Sequence, residues 1–151
     1  MRLVTINSSK LKDYYQDKEM LHKASKRPCA LIVQLTYKGK RYDFAVPLRS
    51  NIPIGIPQSQ FFALPPRKTT KPHHHHGLHY IKMFPVRRSW TLKYHYSQST
   101  QAALIKSIVD KNEKQIISEC KTYLKEYEQG NIPLYATDID MLINIMNSQT
   151  F

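Results

Sequence analysis

Three polar residues of different chemical type stand side by side in the segment PLRSNI, residues 47–52. Arg49 supplies a fixed positive charge, Ser50 a hydroxyl and Asn51 an amide, directly after a run of strand-forming residues. Side chains at the end of a strand can converge on a phosphate, which Arg binds through parallel hydrogen bonds. Ser-Asn is also common in turns, and this ordinary structural role is the alternative.

Histidines form a second group of chemically capable residues. His73 to His76 are consecutive, and His79 follows at the start of LHYIKMFPV. Adjacent residues in an extended chain point alternately apart, so we predict adventitious metal binding only and no metal site. The run is interpreted as a flexible, weakly basic lip of a binding groove. His79 can act as acid or base, although a lone histidine on a strand is more often structural.

Positive charge is concentrated in the first two thirds of the chain, whose net charge is +12 in total. Residues 1–100 contain 18 Lys and Arg against 4 Asp and Glu, whereas residues 101–151 contain 5 and 7. This imbalance indicates a localised surface for a polyanion, with a merely solvated basic face as the alternative. The cations alternate with aromatic residues, as in proteins that bind single-stranded nucleic acid. The predicted RNA-binding residues are Lys26, Arg27, Tyr37, Lys38, Arg41, Arg67, Lys68, Lys71, His73, His74, His75, His76, Tyr80, Lys82, Arg87 and Arg88.

Metal-free cleavage of RNA makes modest demands on a protein. A base must take the 2′-hydroxyl proton, cations must hold the charge that builds on phosphorus, and an acid must protonate the leaving 5′ oxygen. The sequence offers His and Lys for proton transfer, and Arg49 with Ser50 for the phosphate. A two-metal nuclease is disfavoured because it needs several carboxylates, and only four acidic residues precede residue 100. No cofactor is predicted.

The first half of the chain predicts a helix followed by a hairpin. RLVTI predicts a first strand, after which Ser8 or Ser9 caps a helix extending to about Lys26. Strands over 30–37 and 41–48 are joined through Lys38-Gly39-Lys40. Pro47 has no amide hydrogen, so the second strand is expected to lie at an edge or to end there.

The rest of the chain changes from strands to helices. A short strand near residues 60–64 and a strand over LHYIKMFPV are predicted, and WTLKYHY is a further strand or an extended link. Residues 97–130 predict one long helix, or two broken near Asp110 to Asn112, ending at Gly130. A last helix starts at Thr137 as its cap. We predict one α+β domain over 1–151, with a basic β part over about 1–96 and a helical part over about 97–151 that packs on a small antiparallel sheet or half-open barrel.

The cellular setting is inferred from motifs and segments that the sequence lacks. Cys29 and Cys120 form no CxxC pair, which favours a reducing compartment. The sequence has no long apolar run, and its beginning lacks the apolar block of a signal peptide. A cytoplasmic protein without membrane contact is therefore expected.

Two short blocks resemble a known family. PLRSN resembles the proline-leucine-x-serine segment, and HYIKMFPV a second recurrent block, of the endoribonuclease toxins of bacterial type III toxin–antitoxin systems, the ToxN, CptN and TenpN group. The order of elements is also similar over roughly residues 1–145. Arg49 and Asn51 around Ser50 bring the sequence closest to the CptN/TenpN branch.

The resemblance implies a fold, an activity and a partner. The fold would be a compact, twisted antiparallel sheet similar to MazF/Kid toxins, decorated by helices. The activity would be metal-independent cleavage of single-stranded, often A-rich RNA to a 2′,3′-cyclic phosphate, with a role in phage abortive infection. The partner would be a small antitoxin RNA of tandem repeats, processed to pseudoknots that join the toxins in a closed ring.

Site residues follow from the resemblance position by position. Ser50 matches the family's active-site serine, with Arg49 and Asn51 beside it. The lysine that follows this serine in the family has no match, because Ile52 and Pro53 occupy those positions. His79, Lys40 or one of the four consecutive histidines are the hypothetical substitutes for proton transfer. A non-catalytic module that binds single-stranded RNA is the alternative, and a DNA-binding regulator is disfavoured because the helical third is slightly acidic.

Overall fold

The computed structural model describes residues 1–149, in which seven strands precede three of the four α-helices. Residues 150 and 151 of the predicted helical part lie outside the described residues. The strands are β1 (Arg2–Ile6), β2 (Cys29–Tyr37), β3 (Lys40–Pro53), β4 (Phe61–Leu64), β5 (His74–His79), β6 (Phe84–Val86) and β7 (Thr91–Lys93). The helices are α1 (Ser8–Leu11), α2 (Thr100–Lys111), α3 (Glu113–Glu128) and α4 (Ile139–Ser148).

All strand pairs are antiparallel and belong to one sheet. Its order is β4-β5-β3-β2-β1-β7, and β6 pairs with the first half of β3. The sheet is open, since β4 and β7 end the order without pairing to each other. This arrangement confirms the predicted α+β class with a half-open antiparallel sheet.

The hairpin between β2 and β3 is the local feature that the sequence predicted best. Lys38 and Gly39 at its tip have φ angles of 50° and 76°. Positive φ at both central residues is the geometry of a tight turn whose twist matches that of the flanking strands. Cross-strand pairs run from Tyr37 and Lys40 to Cys29 and Pro47.

The expectation that β3 lies at an edge or ends at Pro47 is wrong. β3 continues to Pro53 in the middle of the sheet. Its pairing with β6 ends at Ala45, and its pairing with β5 begins at Leu48. Pro47 therefore occupies the gap between two partner strands on that side, where no ladder hydrogen bond requires an amide hydrogen.

The long helix predicted from residue 8 to about 26 is also wrong. Only α1 forms, and its cap is Asn7, whose Oδ1 accepts a hydrogen bond from Ser9 N at 3.1 Å. A 3₁₀ turn over Lys12–Gln16 follows, and Asp17 then accepts bonds from Glu19 N and Asp138 N. These contacts stop the helix because the Asp17 carboxylate offers backbone amides an alternative to helical bonding.

The single strand predicted over LHYIKMFPV is wrong, because this segment contains the end of one strand, a turn and a second strand. β5 ends at His79, a 3₁₀ turn covers Tyr80–Lys82, and β6 follows. The turn moves the chain from one half of β3 to the other. Every residue from 78 to 86 is buried, so the usual distinction between a core face and a solvent face is absent here.

The helices agree with the sequence more closely. The predicted break falls at Asn112, between α2 and α3, and Gly130 after α3 has φ +91°, as a C-terminal cap requires. Asp138 caps α4 instead of Thr137, whose buried hydroxyl donates to Met83 O at 2.5 Å. No helix in the described part of the chain is long and apolar enough to cross a membrane.

Apolar side chains cover both faces of the sheet. Successive residues of a strand alternate between the faces, as Leu3 and Val4 of β1 illustrate. One cluster joins β2, β3 and β5 to α2 and α3. The other joins β1 and β6 to α1 and α4. β3 is held from both sides, which makes it a rigid support for residues 49–51.

Candidate nucleic-acid interface

Ser50 and Asn51 form a β-bulge in the second half of β3. Arg49 pairs with Gly77 and Ile52 pairs with His75, so two residues of β3 oppose His76 alone on β5. A bulge interrupts the ladder and redirects side chains, and bulges are frequent beside active sites. PLRSNI is therefore an interior part of a long strand rather than a strand exit, yet its polar side chains reach the surface through the bulge.

Asn51 ties the loop between β4 and β5 to this bulge. Its Nδ2 donates to Thr69 O at 3.2 Å, and its Oδ1 accepts from Lys71 N at 2.7 Å. The Thr69 hydroxyl donates to Ser50 Oγ at 3.3 Å. The loop thus lies against Ser50 and brings its own polar groups to it.

An open cleft of about 480 Å³ results from these contacts. Among residues 1–149, its walls contain three arginines, two hydroxyl side chains and one amide, with no carboxylate. The cations come from three separate segments, which the fold brings together only here. Positive charge without a counter-ion makes the cleft an anion site. The lining residues are Arg27, Arg49, Ser50, Asn51, Arg67 and Thr69.

The charges of the cleft act on one another. Burial, followed by the charge of Arg27, lowers the pKa of Arg49 below its ordinary value. Burial also lowers the pKa of Arg27. Two partly desolvated guanidinium groups that repel each other gain from an anion between them.

His79 is buried and contacts Arg49. Its Nδ1 is 3.4 Å from Arg49 Nη1, and the imidazole is buried at 1% exposure. Burial lowers the pKa of His79 to about 3, and the charges of Arg49 and Lys82 act in the same direction. The ring is neutral near pH 7 and out of contact with solvent, so it is placed to orient Arg49 rather than to exchange protons with a ligand.

Three further predicted RNA-binding lysines are exposed and lie within two residues, along the chain, of residues that line the cleft. Lys26 ends a 3₁₀ turn immediately before Arg27, and Lys68 lies between Arg67 and Thr69. The backbone of Lys71 is bound to Asn51, and its side chain is exposed. These lysines extend the positive surface beyond the cleft.

Three other predicted contacts are used inside the protein. The Lys82 ammonium, 6% exposed, donates to Tyr135 O at 2.7 Å and to Glu19 O and Oε1, both at 3.1 Å. The Tyr80 hydroxyl donates to Glu119 at 2.6 Å. Tyr37 donates to Asp140 at 2.9 Å and is 2% exposed. The two tyrosines hold α3 and α4 on the sheet, and Lys82 holds the segment around Glu19.

Lys40 lies too far from Ser50 to share a reaction with it. It begins β3 at the hairpin tip, ten residues before Ser50, and a strand rises about 3.3 Å per residue, so the separation is about 30 Å. The tip itself faces the helices, because Lys38 forms an ion pair with Asp140 at 3.0 Å. Arg41 is exposed beside Lys121 and Lys125.

Arg87 and Arg88 follow β6, far along the chain from the bulge. Arg88 Nε forms an ion pair with Asp43 at 3.1 Å. Arg87 Nη2 donates to Met146 O in α4 at 3.4 Å. Both are therefore engaged with other parts of the protein.

The histidine run is an ordered strand segment rather than a flexible lip. His74 to His76 belong to β5, and His76 is 1% exposed. His75 is exposed and stacks on Phe61, with ring centroids 5.1 Å apart. His73 is exposed at the end of the loop that Asn51 holds. Across residues 1–149, no three His, Cys, Asp or Glu side chains meet in a way that could hold a metal ion.

Two residues of the site were not among the sequence predictions. Thr69 contributes a hydroxyl to the cleft, and no pattern in RKTT distinguished it. Gly77 lets β4 approach β5, since a Cβ there would lie 2.2 Å from Phe62 O. Glycine inside a strand is a signal of close backbone approach, so its importance could have been inferred.

Comparison with known proteins finds solved structures that have a similar fold. No protein-family model and no curated protein sequence matches the chain. One solved structure, from work on a processed non-coding RNA that regulates a bacterial antiviral system, covers 100% of both chains at 15% identity and a TM-score of 0.71. Another, from work on selective toxin inhibition by a non-coding RNA pseudoknot in bacterial type III toxin–antitoxin systems, covers 97% of this chain and 95% of that chain at 15% identity and a TM-score of 0.69.

The chain shares the fold of a type III toxin–antitoxin protein. The resemblance drawn from PLRSN and HYIKMFPV is confirmed for the fold, although these two blocks make up only a small part of the sequence. Closeness to the CptN/TenpN branch stays a prediction. Identity of 15% leaves the chemistry to be argued from the cleft itself.

Proposed function

We propose that the chain is an endoribonuclease toxin that cuts single-stranded RNA without a metal ion and is held inactive by an antitoxin RNA. The observation that carries the proposal is the cleft, where Arg27, Arg49 and Arg67 surround Ser50 without a carboxylate among the described lining residues. A phosphodiester is the anion that fits such a donor set, because guanidinium groups bind phosphate oxygens in pairs. Exposed lysines beside the cleft extend the attraction to neighbouring phosphates.

The reaction would be an attack of the ribose 2′ oxygen on the adjacent phosphorus. A bond from the 2′ oxygen to phosphorus forms while the bond from phosphorus to the 5′ oxygen breaks, which leaves a 2′,3′-cyclic phosphate. A base takes the proton of the 2′-hydroxyl and an acid delivers one to the 5′ oxygen, so the second product is a 5′-hydroxyl end and the number of protons is unchanged. Arg49 and Arg27 stabilise the negative charge that develops on the phosphate oxygens, and Ser50 donates a hydrogen bond to the same group. Asn51 and Thr69 keep the loop in place, and His79 positions Arg49.

Similarity of fold supports the proposed partner. The two solved proteins come from systems described as regulated or inhibited by a non-coding RNA. The same basic cleft that would bind a substrate strand can bind an inhibitory RNA, since both offer a chain of phosphates. We therefore propose an antitoxin RNA of tandem repeats as the partner, assembled with the toxin into an RNA-mediated ring in the bacterial cytoplasm, with a role in abortive infection by phage.

Cleavage by purified protein tests the proposal. Protein freed of bound RNA is incubated with single-stranded A-rich RNA in the presence of EDTA, and the product ends are identified by mass spectrometry. We expect 2′,3′-cyclic phosphate ends, and a loss of about 100-fold in rate for Ser50→Ala. Ser59→Ala, an exposed serine outside the cleft, is the matched control and should cut like the parent. Equal cleavage by Ser50→Ala, or loss of cleavage in EDTA, would contradict this mechanism.

A non-catalytic module for single-stranded RNA is the second candidate function. It is favoured by the burial of His79, because the described cleft then holds no exposed histidine among its lining residues. This candidate predicts tight RNA binding by the parent protein and intact RNA after prolonged incubation. His73 is exposed next to the loop, and a loss of cleavage in His73→Ala would instead identify a histidine acting from the edge of the cleft.

A further inference from the structure

His75 and Phe61 form a stacked pair of rings on one face of β5. Their ring centroids are 5.1 Å apart, and the angle between the ring planes is 30°. Phe61 pairs with His79 across the two strands. Gly77 lies between His79 and His75 on the same face, because alternate residues of a strand share a face. Since Gly77 has no side chain, the ring of Phe61 can extend over it to reach His75.

The stacked pair leaves one imidazole face accessible to a ligand. Phe61 is buried at 7% exposure and covers one face of the imidazole, whereas His75 is exposed. A side chain that is already held by a buried neighbour loses little conformational freedom when a further ring stacks on it. The exposed face of His75 is therefore a preformed platform for a flat aromatic ligand.

A cavity of about 450 Å³ adjoins this platform. Ligand pockets have volumes of about 300–1,000 Å³, so the cavity has room for a nucleobase. Its apolar wall includes Ile56, Phe61 and Phe62. Among residues 1–149, its lining contains the carboxylate of Glu119 and neither Lys nor Arg. This charge disfavours a phosphate, whereas the arginines of the cleft attract one, so the cavity suits the uncharged part of a nucleotide.

The platform and the cleft lie on the same face of the sheet. Arg49 of the cleft pairs with Gly77, so its side chain shares a face with that of His75, two residues before Gly77. His79, two residues after Gly77, contacts Arg49, as this arrangement requires. A strand rises about 3.3 Å per residue, which places His75 about 7 Å along β5 from the position opposite Arg49. A phosphate and the base of an adjoining nucleotide can span this separation.

We propose that this cavity is a nucleobase subsite for the RNA strand that occupies the cleft. The base of a nucleotide next to the phosphate at Arg49 turns out of the strand and stacks on His75, with Phe61 supporting the imidazole from its other side. Such stacking contributes much of the affinity for single strands, and a base has a free face for it only when it is unstacked. The inference rests on the proposed function of the cleft. It adds the means by which the protein selects an unpaired strand and fixes its register over Ser50.

Removal of single bases from the RNA tests the subsite. The protein carries Ser50→Ala so that RNA survives, and fluorescence anisotropy measures affinity for short labelled single strands in which one nucleotide at a time is abasic. We expect one position at which loss of the base weakens binding about tenfold, the effect of one stacked base. Adding His75→Ala should remove this sensitivity, and adding His75→Phe should retain it. His95→Ala, an exposed histidine outside the cavity lining, is the control and should leave the abasic profile unchanged.

Double-stranded RNA provides a second readout of the same contact. Paired bases cannot enter the cavity, so His75→Ala should weaken binding of the single strand about tenfold and leave binding of a duplex of the same sequence unchanged. Unchanged binding of the duplex also verifies that the variant is folded. A retained abasic profile in His75→Ala, or an equal loss of affinity for single and double strands, overturns the subsite alone. Failure of the parent to bind any single strand overturns the proposed function.

Discussion

Asn51 offers the sharpest test of how the loop and the bulge cooperate, because its amide makes both of its hydrogen bonds to the backbone of one loop. Nδ2 donates to Thr69 O at 3.2 Å and Oδ1 accepts from Lys71 N at 2.7 Å. Asn51→Ala removes both contacts without creating a buried cavity, since the side chain is half-exposed. We expect the loop to open locally while the rest of the fold is retained.

The size of the effect follows from these two contacts. A net value of about 1 kcal/mol for each hydrogen bond gives about 2 kcal/mol in favour of the open loop. Since 1.4 kcal/mol corresponds to a factor of ten, the population of the closed loop shifts by at most about 30-fold. RNA affinity and any cleavage should fall by up to this factor, because Arg67 and Thr69 leave the cleft with the loop.

Two measurements separate this mechanism from general destabilisation. Anisotropy with single-stranded RNA should show the loss of affinity, and hydrogen exchange should show lost protection at the amide of Lys71. The midpoint of urea unfolding should remain close to that of the parent. Asn144→Ala, an exposed asparagine on α4, is the control and should change neither quantity. If Asn51→Ala binds RNA within about twofold of the parent, the loop does not depend on this amide.

Three further predictions concern stability. Gly77→Ala would place a Cβ 2.2 Å from Phe62 O. Calorimetry should show that the free energy of unfolding falls by about 3 kcal/mol, and RNA binding should weaken. An unchanged free energy of unfolding would show that β4 can move away freely. Lys82→Met should lower the free energy of unfolding by about 1–3 kcal/mol and leave RNA affinity intact, whereas Lys68→Met should weaken RNA binding and leave the free energy of unfolding unchanged. If Lys82→Met weakens RNA binding and Lys68→Met does not, Lys82 is an RNA contact after all. The folded pKa of His79, about 3, lies below its ordinary 6.5, so the unfolded state binds more protons in between. Stability should therefore fall as pH drops from 6.5 toward 3, by up to about 1.4 kcal/mol per unit, and His79→Asn should flatten this slope in urea titrations.

Local patterns predicted the elements whose geometry is set by neighbours in the chain. The tight turn at Lys38-Gly39 and the cap at Gly130 each need a backbone conformation that glycine permits, so the sequence suffices to locate them. The break near Asn112 was likewise one of two predicted outcomes. The predictions for residues 8–26 and 78–86 were wrong because remote contacts, such as those of Asp17 with Asp138, override local preference.

The sequence by itself determined that the first hundred residues carry the positive charge and that Arg49, Ser50 and Asn51 follow one another directly after a predicted strand. Only the tertiary structure decided which charges face a ligand. Lys68 and Lys82 look equivalent in the sequence, yet the first is exposed beside the cleft and the second is buried against Glu19. A charge leaves the solvent only when the fold supplies partners for it, and the partners of Lys82, Glu19 and Tyr135, lie 63 and 53 residues away in the sequence.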